Sequence, residues 1–250
     1  IGSIMRFLFV HQNFPGQFKH LAPALVREGH EVTASIIKNA RPYEWQGVKI
    51  LPYSLMRGNT AGIHPWAVDF EAKMIRAEAC MQAAIKLRDS GYTPDTVIAH
   101  PGWGESLCLK EVWPSTQIKV YCEFYYHTEG HDVGFDPEFE SPSNTERARV
   151  RLKNANILTQ FQDVTAGISP THWQAGTFPK HIREKITVVH DGIDTKLLSP
   201  NQNASLTLAT GETLTCADQV VTFVNRSLEP YRGYHQFMRA LPKIVESQPH

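Results

Sequence analysis

The sequence predicts an α/β protein with a doubly wound parallel sheet, followed by only the start of a second domain of the same kind. Three observations carry the prediction. Short apolar runs stop at polar or glycine-rich residues, as buried parallel strands do where they leave a sheet. Segments with apolar residues at helical spacing fall between those runs, so strands and helices alternate. The last apolar run is followed by one helical segment, and such a pair cannot bury its own apolar faces.

The first run, Arg6-Phe-Leu-Phe-Val10, halts at the loop His11-Gln-Asn-Phe-Pro-Gly16. Phe18, Leu21, Leu25 and Val26 then recur at helical spacing, and Gly29 stops that helix before extended character resumes in Glu31–Ile37. Strand, helix and strand form one parallel unit. A long helix is expected from Phe70 to Leu87, a strand at Thr96–Ala99, a short helix after Gly104 and a strand from Ile118 to Phe124. The polar stretch Asp132 to Asn144 leads into a helix near Thr145 to Leu158, a strand at Thr165–Ile168, a helix after Ser169-Pro170 and a strand at Ile186–Val189. From Leu197 to Asp218 the chain turns rich in Ser, Thr, Asn and Ala, with a hairpin expected around Thr210-Gly211. Val220–Val224 reads as the opening strand of a new sheet and Tyr234–Val245 as its helix. The expected organisation is a Rossmann-like domain over 5–195, a linker with hairpin over 196–218, and the start of a second domain over 219–250. Ile1–Ile4 reads as a cloning remnant ahead of a native Met5.

Composition narrows the function. With 42% hydrophobic residues among 250 there is material for a substantial core. Basic and acidic side chains both number 25, so no net positive field exists to hold a nucleic-acid backbone, and no nucleic-acid partner is expected. Cys80, Cys108, Cys122 and Cys216 form no Cys-x-x-Cys pair, which speaks against a zinc ribbon or a disulfide framework and for a reducing cytoplasm. No apolar run approaches the roughly 20 residues that cross a bilayer.

In an open parallel sheet, ligands bind outside the carboxyl ends of the strands, so the residues just after them matter most. His11, Asn13 and Gly16 follow the first strand, and Gly16 lets backbone approach a ligand closely. His100-Pro-Gly-Trp-Gly104 joins an imidazole to the flat face of Trp103, which suits a sugar ring. Glu123-Phe-Tyr-Tyr-His127, with Asp132 beyond it, is dense in groups that move protons or bind hydroxyls. A metal at His127 and His131 is not expected, because Gly130 disfavours the helix that would put both rings on one face. Arg226 and Arg232 lie in a loop before a helix, where two guanidinium groups suit a diphosphate. There is no Gly-x-Gly-x-x-Gly, no Walker loop and no nucleophile elbow, although Gly102-Trp-Gly-Glu-Ser106 superficially resembles the last.

On these residues the chain resembles glycosyltransferase family 4, whose members have the GT-B fold of two facing Rossmann-like domains. Met5 to Gly16 with Leu21 to Val32 is similar to the family's opening strand, glycine loop and helix. Ile168-Ser-Pro-Thr-His-Trp-Gln174 with Val188-Val-His-Asp-Gly-Ile-Asp194 is similar to its domain-closing signature. Arg226, Arg232 and Gly233 resemble its Gly-Arg-x-x-x-x-Lys-Gly pattern, with Asn225 for the first Gly, Arg for Lys and one extra residue between. The family's paired-glutamate motif would lie past His250, so a fragment of a longer enzyme is expected. The resemblance implies a retaining hexosyltransferase that moves a sugar from a UDP-sugar, most naturally UDP-glucose, to a polysaccharide or glycolipid acceptor. It implies no cofactor and no metal. Gly16, Arg226 and Arg232 would bind the donor, while His11, Asn13, His100, Trp103 and Asp132 would orient the acceptor. His127 and Glu123 are the catalytic candidates, with Tyr125 also alignable to the family's active-site His. The alternatives are a noncatalytic sugar-binding module and a nucleotide-sugar epimerase of the same fold. A lipid-linked acceptor leaves peripheral contact with the inner membrane face open.

Overall fold

The computed structural model describes residues 3–139 and 141–248. Ile1 and Gly2 of the leading stretch, Glu140, and the last two residues of the 219–250 segment lie outside them. The chain divides into two compact units, Ile1–Gly134 with Glu140–Gly192, and Phe135–Phe139 with Ile193–His250.

The first unit is a Rossmann-like layered structure. Its strands are β1 (Arg6–Val10), β2 (Glu31–Ile37), β3 (Tyr43–Trp45), β4 (Val48–Tyr53), β5 (Thr96–Ala99), β6 (Gln117–Tyr121), β7 (Val164–Ser169) and β8 (Ile186–Val188). They form one sheet in the order β3-β4-β2-β1-β5-β6-β7-β8, parallel except for the edge strand β3. Its helices are α1 (Leu21–Arg27), α2 (Val68–Asp89), α3 (Leu109–Val112), α4 (Asn144–Leu152), α5 (Ala155–Gln160), α6 (His172–Thr177) and α7 (Lys180–Arg183). β1 is apolar from Phe7 to Val10 because both of its faces are covered there. Leu8 and Val10 join a core with Ala79, Cys80 and Ala84 of α2, while Phe7 and Phe9 join a core with Phe18 and Ala22 on the other face. The winding reverses at β1, which has β2 on one side and β5 on the other. That reversal opens a crevice at the carboxyl ends of β1 and β5.

Three local departures from the sequence-based expectation have identifiable causes. Residues 38–69 carried no predicted element yet contain β3 and β4, whose signal is masked by Pro52 within β4 and by the tight Gln46-Gly47 turn, both residues at positive φ. β6 stops at Tyr121 rather than Phe124. Beyond it, side chains replace the ladder: the Ser169 hydroxyl donates to the Cys122 carbonyl at 2.8 Å, and the Tyr125 amide donates to Thr177 Oγ1 at 3.0 Å. The single helix expected over Thr145–Leu158 is two, α4 and α5. Asn154 marks the break, where its side chain accepts from the Tyr126 amide at 2.9 Å and donates to the Tyr126 carbonyl at 2.8 Å, in the manner of a strand neighbour.

In the second unit β9 (Ser205–Thr207) and β10 (Thr213–Thr215) make the expected hairpin, followed by α8 (Tyr234–Ser247). The expected strand Val220–Val224 does not form. No strand lies beside it among the described residues, and an unpaired segment gains no ladder bonds. Its Phe223 instead packs against Tyr234 and Phe237 at ring separations of 5.6 and 5.3 Å. No helix among the described residues is long and apolar enough to cross a membrane.

Candidate functional site

Two imidazoles stand at the sheet reversal. His11 follows β1 directly and its amide donates to the Ser35 carbonyl at 3.4 Å; His100 follows β5 and its amide donates to the Val10 carbonyl at 3.3 Å. Strand pairing therefore fixes where both rings start. The rings are only 5% and 6% exposed, with centroids 5.7 Å apart and planes nearly perpendicular at 86°.

Backbone amides decide the tautomers. Nδ1 of His11 accepts from the Asn13 amide at 3.1 Å, and Nδ1 of His100 accepts from the Gly102 amide at 3.1 Å. Each neutral ring then carries its proton on Nε2. From Nε2, His100 donates to Glu123 Oε2 at 2.9 Å. Burial, reinforced by the neighbouring His100, lowers the His11 pKa to about 4, so near neutral pH this ring is an uncharged Nε2–H donor. Two glycines make room for the pair. Gly16 has φ +47°, and a Cβ there would lie 2.7 Å from Cε1 of His11; a Cβ on Gly102 would lie 2.8 Å from Cε1 of His100.

A buried acid ties the loops together. Glu105 is fully buried and accepts from the Tyr53 hydroxyl at 2.7 Å and from the Gln12 amide at 3.2 Å, linking the ends of β4 and β1. Burial raises its pKa above the usual carboxylate range. On the α1 side of the sheet, the Tyr121 hydroxyl donates to the Asp191 carboxylate, with both oxygens within 3.0 Å. The Tyr121 ring lies 6.0 Å from His100 and helps line a cavity of about 260 Å³, together with Phe18, Lys119, His190 and Asp191.

Of the residues singled out from sequence, His11, His100 and Glu123 come together. Trp103 joins them, 39% exposed and tilted against His100 with centroids 6.0 Å apart. Asn13 contributes its backbone amide while its side chain is exposed, and Gly16 touches the His11 ring. His127 has different neighbours: its Nε2 lies 2.7 Å from the Thr177 carbonyl, to which it donates, and its ring stacks on His131 at 4.1 Å. Asp132 is exposed in the following loop. Arg226 is exposed, whereas Arg232 pairs with Glu229 at 3.0 Å and lies over the Tyr231 ring at 5.1 Å. Both arginines belong to the second unit and Gly16 to the first, so the three candidate donor residues are divided between units. Among the described residues, Asp136, Glu138 and His235 of the second unit have donor atoms within 4.8 Å of one another, as a metal would require, but Glu138 is also paired with Arg239.

Sequence reasoning missed Glu105, Tyr53, Tyr121 and Asp191. The signals were thin. Glu105 lies within Gly102-Trp-Gly-Glu-Ser106, whose local pattern resembles only a nucleophile elbow, and Asp191 lies within the Asp-Gly-Ile-Asp turn, whose resemblance bears on the fold.

The glycosyl transferase family 4 group matches residues 28–198, a span that contains His100, Glu123 and His127 and ends before Arg226. No curated protein sequence matches the chain. Among solved structures it is similar to the catalytic domain of starch synthase IV from Arabidopsis thaliana bound to ADP and acarbose, at 14% identity and TM-score 0.48, over 80% of this chain and 54% of that one. It is also similar to Phytolacca americana UGT2 complexed with UDP-2-fluoro-glucose and pterostilbene, at 10% identity and TM-score 0.49, over 74% of this chain and 53% of that one. The chain thus spans about half the length of the solved structures it matches. The family match covers more than half of the chain and most of the sheet that carries the site, so the chain belongs to the glycosyl transferase family 4 group.

Proposed function

We propose that this chain carries the acceptor-side domain of a retaining hexosyltransferase that uses a UDP-sugar, UDP-glucose first among them, and a glycan or glycolipid acceptor. The observation that carries the reading is the convergence of a neutral His11 with the His100–Glu123 pair at the sheet reversal, in a chain of the glycosyl transferase family 4 group. In this reading Glu123 is the base: its carboxylate, held by His100, accepts the hydrogen bond of the acceptor hydroxyl and draws off its proton as that hydroxyl attacks on the face from which the diphosphate departs, so that configuration is retained. His11 offers a donor without a charge, suited to an uncharged sugar oxygen. Trp103 supplies a face for the acceptor ring and Asp132 a further hydroxyl contact.

We assign the imidazole role to His100 instead of His127, because Nε2 of His127 is already committed to the Thr177 carbonyl. As the bond from the anomeric carbon to the diphosphate breaks, negative charge builds on the leaving group. Arg226 and Arg232 are the groups proposed to meet it, with the Gly16 loop alongside. No metal enters this reading, and its cytoplasmic setting, with contact at the inner membrane face for a lipid-linked acceptor, belongs to the same proposal.

The test is product analysis. The protein is incubated with UDP-glucose and candidate acceptors, and the products are examined by mass spectrometry and by NMR at the anomeric proton. A hexosylated acceptor with retained configuration supports the reading. An altered sugar nucleotide without transfer would make the protein an epimerase, and acceptor binding with no UDP-sugar affinity would make it a binding module.

A further inference from the structure

Helix α4 concentrates positive charge in a chain whose formal net charge is zero. Arg147, Arg149, Arg151 and Lys153 take alternate positions toward its end, while the one acid of the helix, Glu146, is held at its start by the Ser143 amide and hydroxyl. At about 3.6 residues per turn these cations make two like-charged pairs one turn apart, Arg147 with Arg151 and Arg149 with Lys153. Such pairs weaken an isolated helix. The helix dipole favours cations in the last turn, but it gives no reason to stack them along both flanks.

Val150 is buried, which turns the opposite side of α4 outward. That outward side carries Ala148 and Leu152, and Leu152 is 42% exposed. Arg147 is already committed: it pairs with Glu129, and its Nε donates to the Pro142 carbonyl at 3.1 Å. Arg149, Arg151 and Lys153 are exposed and form no ion pair among the described residues, with the Lys153 ammonium 5.0 Å from the centre of the Tyr126 ring. Three unneutralised cations on long alkyl stems therefore flank an exposed leucine. Asn154, next along the chain, bonds to Tyr126 just past Glu123, so this end of α4 stands beside the strand exit that carries the proposed base.

We propose that α4 docks the protein on an anionic lipid bilayer, with Leu152 at the boundary between headgroups and acyl chains and Arg149, Arg151 and Lys153 reaching to the lipid phosphates. A cluster of basic side chains around an apolar ridge on one helix fits that surface, because the stems lie along the apolar layer while the charges stay at headgroup level. A nucleic-acid backbone would meet the cations but offers no apolar layer to Leu152. The inference is independent of the proposed sugar transfer.

Co-sedimentation of the purified chain with phosphatidylcholine vesicles, with and without phosphatidylglycerol, tests it. Binding is expected only where phosphatidylglycerol is present, and it should weaken as salt is raised. Arg149→Gln, Arg151→Gln and Lys153→Gln together should weaken it about a hundredfold, about fivefold per cation. The same loss of charge at Lys19, Arg27 and Lys49, exposed on other parts of the first unit, should change it less than about twofold. Leu152→Ser should weaken vesicle binding several-fold. Circular dichroism reports folding; where the triple variant does not fold, Leu152→Ser decides. Equal binding to neutral vesicles, binding unchanged in the triple variant or in Leu152→Ser, or tighter binding to double-stranded DNA than to the anionic vesicles overturns the inference.

Discussion

His11 sits where burial and a second imidazole oppose its protonation, and this has a consequence for stability. Folded, it titrates at about 4; unfolded, it would titrate near 6.5. The unfolded state therefore binds the extra proton between those values. The contribution is full above about pH 7 and is lost as pH falls from about 6.5 toward 4, reaching at most roughly 3 kcal/mol. Glu105 acts in the opposite sense, since its raised pKa favours the folded state when protonated. The difference between wild type and His11→Phe isolates the histidine: urea unfolding at pH 7.5 and 5 should show a smaller loss on acidification in the variant. Equal losses in the two proteins would contradict the assignment. Gly16 supports the same ring. Gly16→Ala adds a Cβ against His11 at a positive φ and should cost about 1 kcal/mol or more of stability, measured by thermal melting, along with displacement of the ring. Glu105→Ala leaves the Tyr53 hydroxyl and the Gln12 amide unpaired and should cost about 2–4 kcal/mol in urea unfolding.

At the scale of elements, strands buried on both faces are legible in sequence because β1 from Phe7 and β5 from Val97 are apolar runs bounded by loops, and β2 is rich in Val, Ile and Thr. His11 and His100 were legible for the same reason, since each is the first residue after such a run. What was hidden depends on long-range contacts. No local pattern announces that Glu105 bonds to the ends of two other strands, or that Asn154 bonds to Tyr126 and breaks a helix. Likewise, Glu123 finds His100 across 23 positions rather than the nearby His127. Val220–Val224 has the composition of a strand but no strand beside it among the described residues, and composition cannot supply one. α4 is better specified: Ser143 and Glu146 form a reciprocal capping box at its start. Ser143→Ala should destabilise the first unit by about 1 kcal/mol, read from the urea midpoint.

At the scale of the whole molecule, the proposed residues divide between the two units. In the proposed reading the first unit would supply the acceptor side at the sheet reversal, while Arg226 and Arg232, the proposed phosphate-binding arginines, lie in the second unit. In the proposed transfer reaction, Arg226→Ala should lower turnover about a hundredfold or more, and near-native turnover would remove the phosphate assignment. The most direct measurement is the rate of hexose transfer from UDP-glucose to acceptor, for wild type and Glu123→Gln. Transfer with retained anomeric configuration is expected, slowed about a hundredfold or more in Glu123→Gln with little change in donor KM. Transfer at the wild-type rate in the variant, or none from any nucleotide sugar in the wild type, would contradict it.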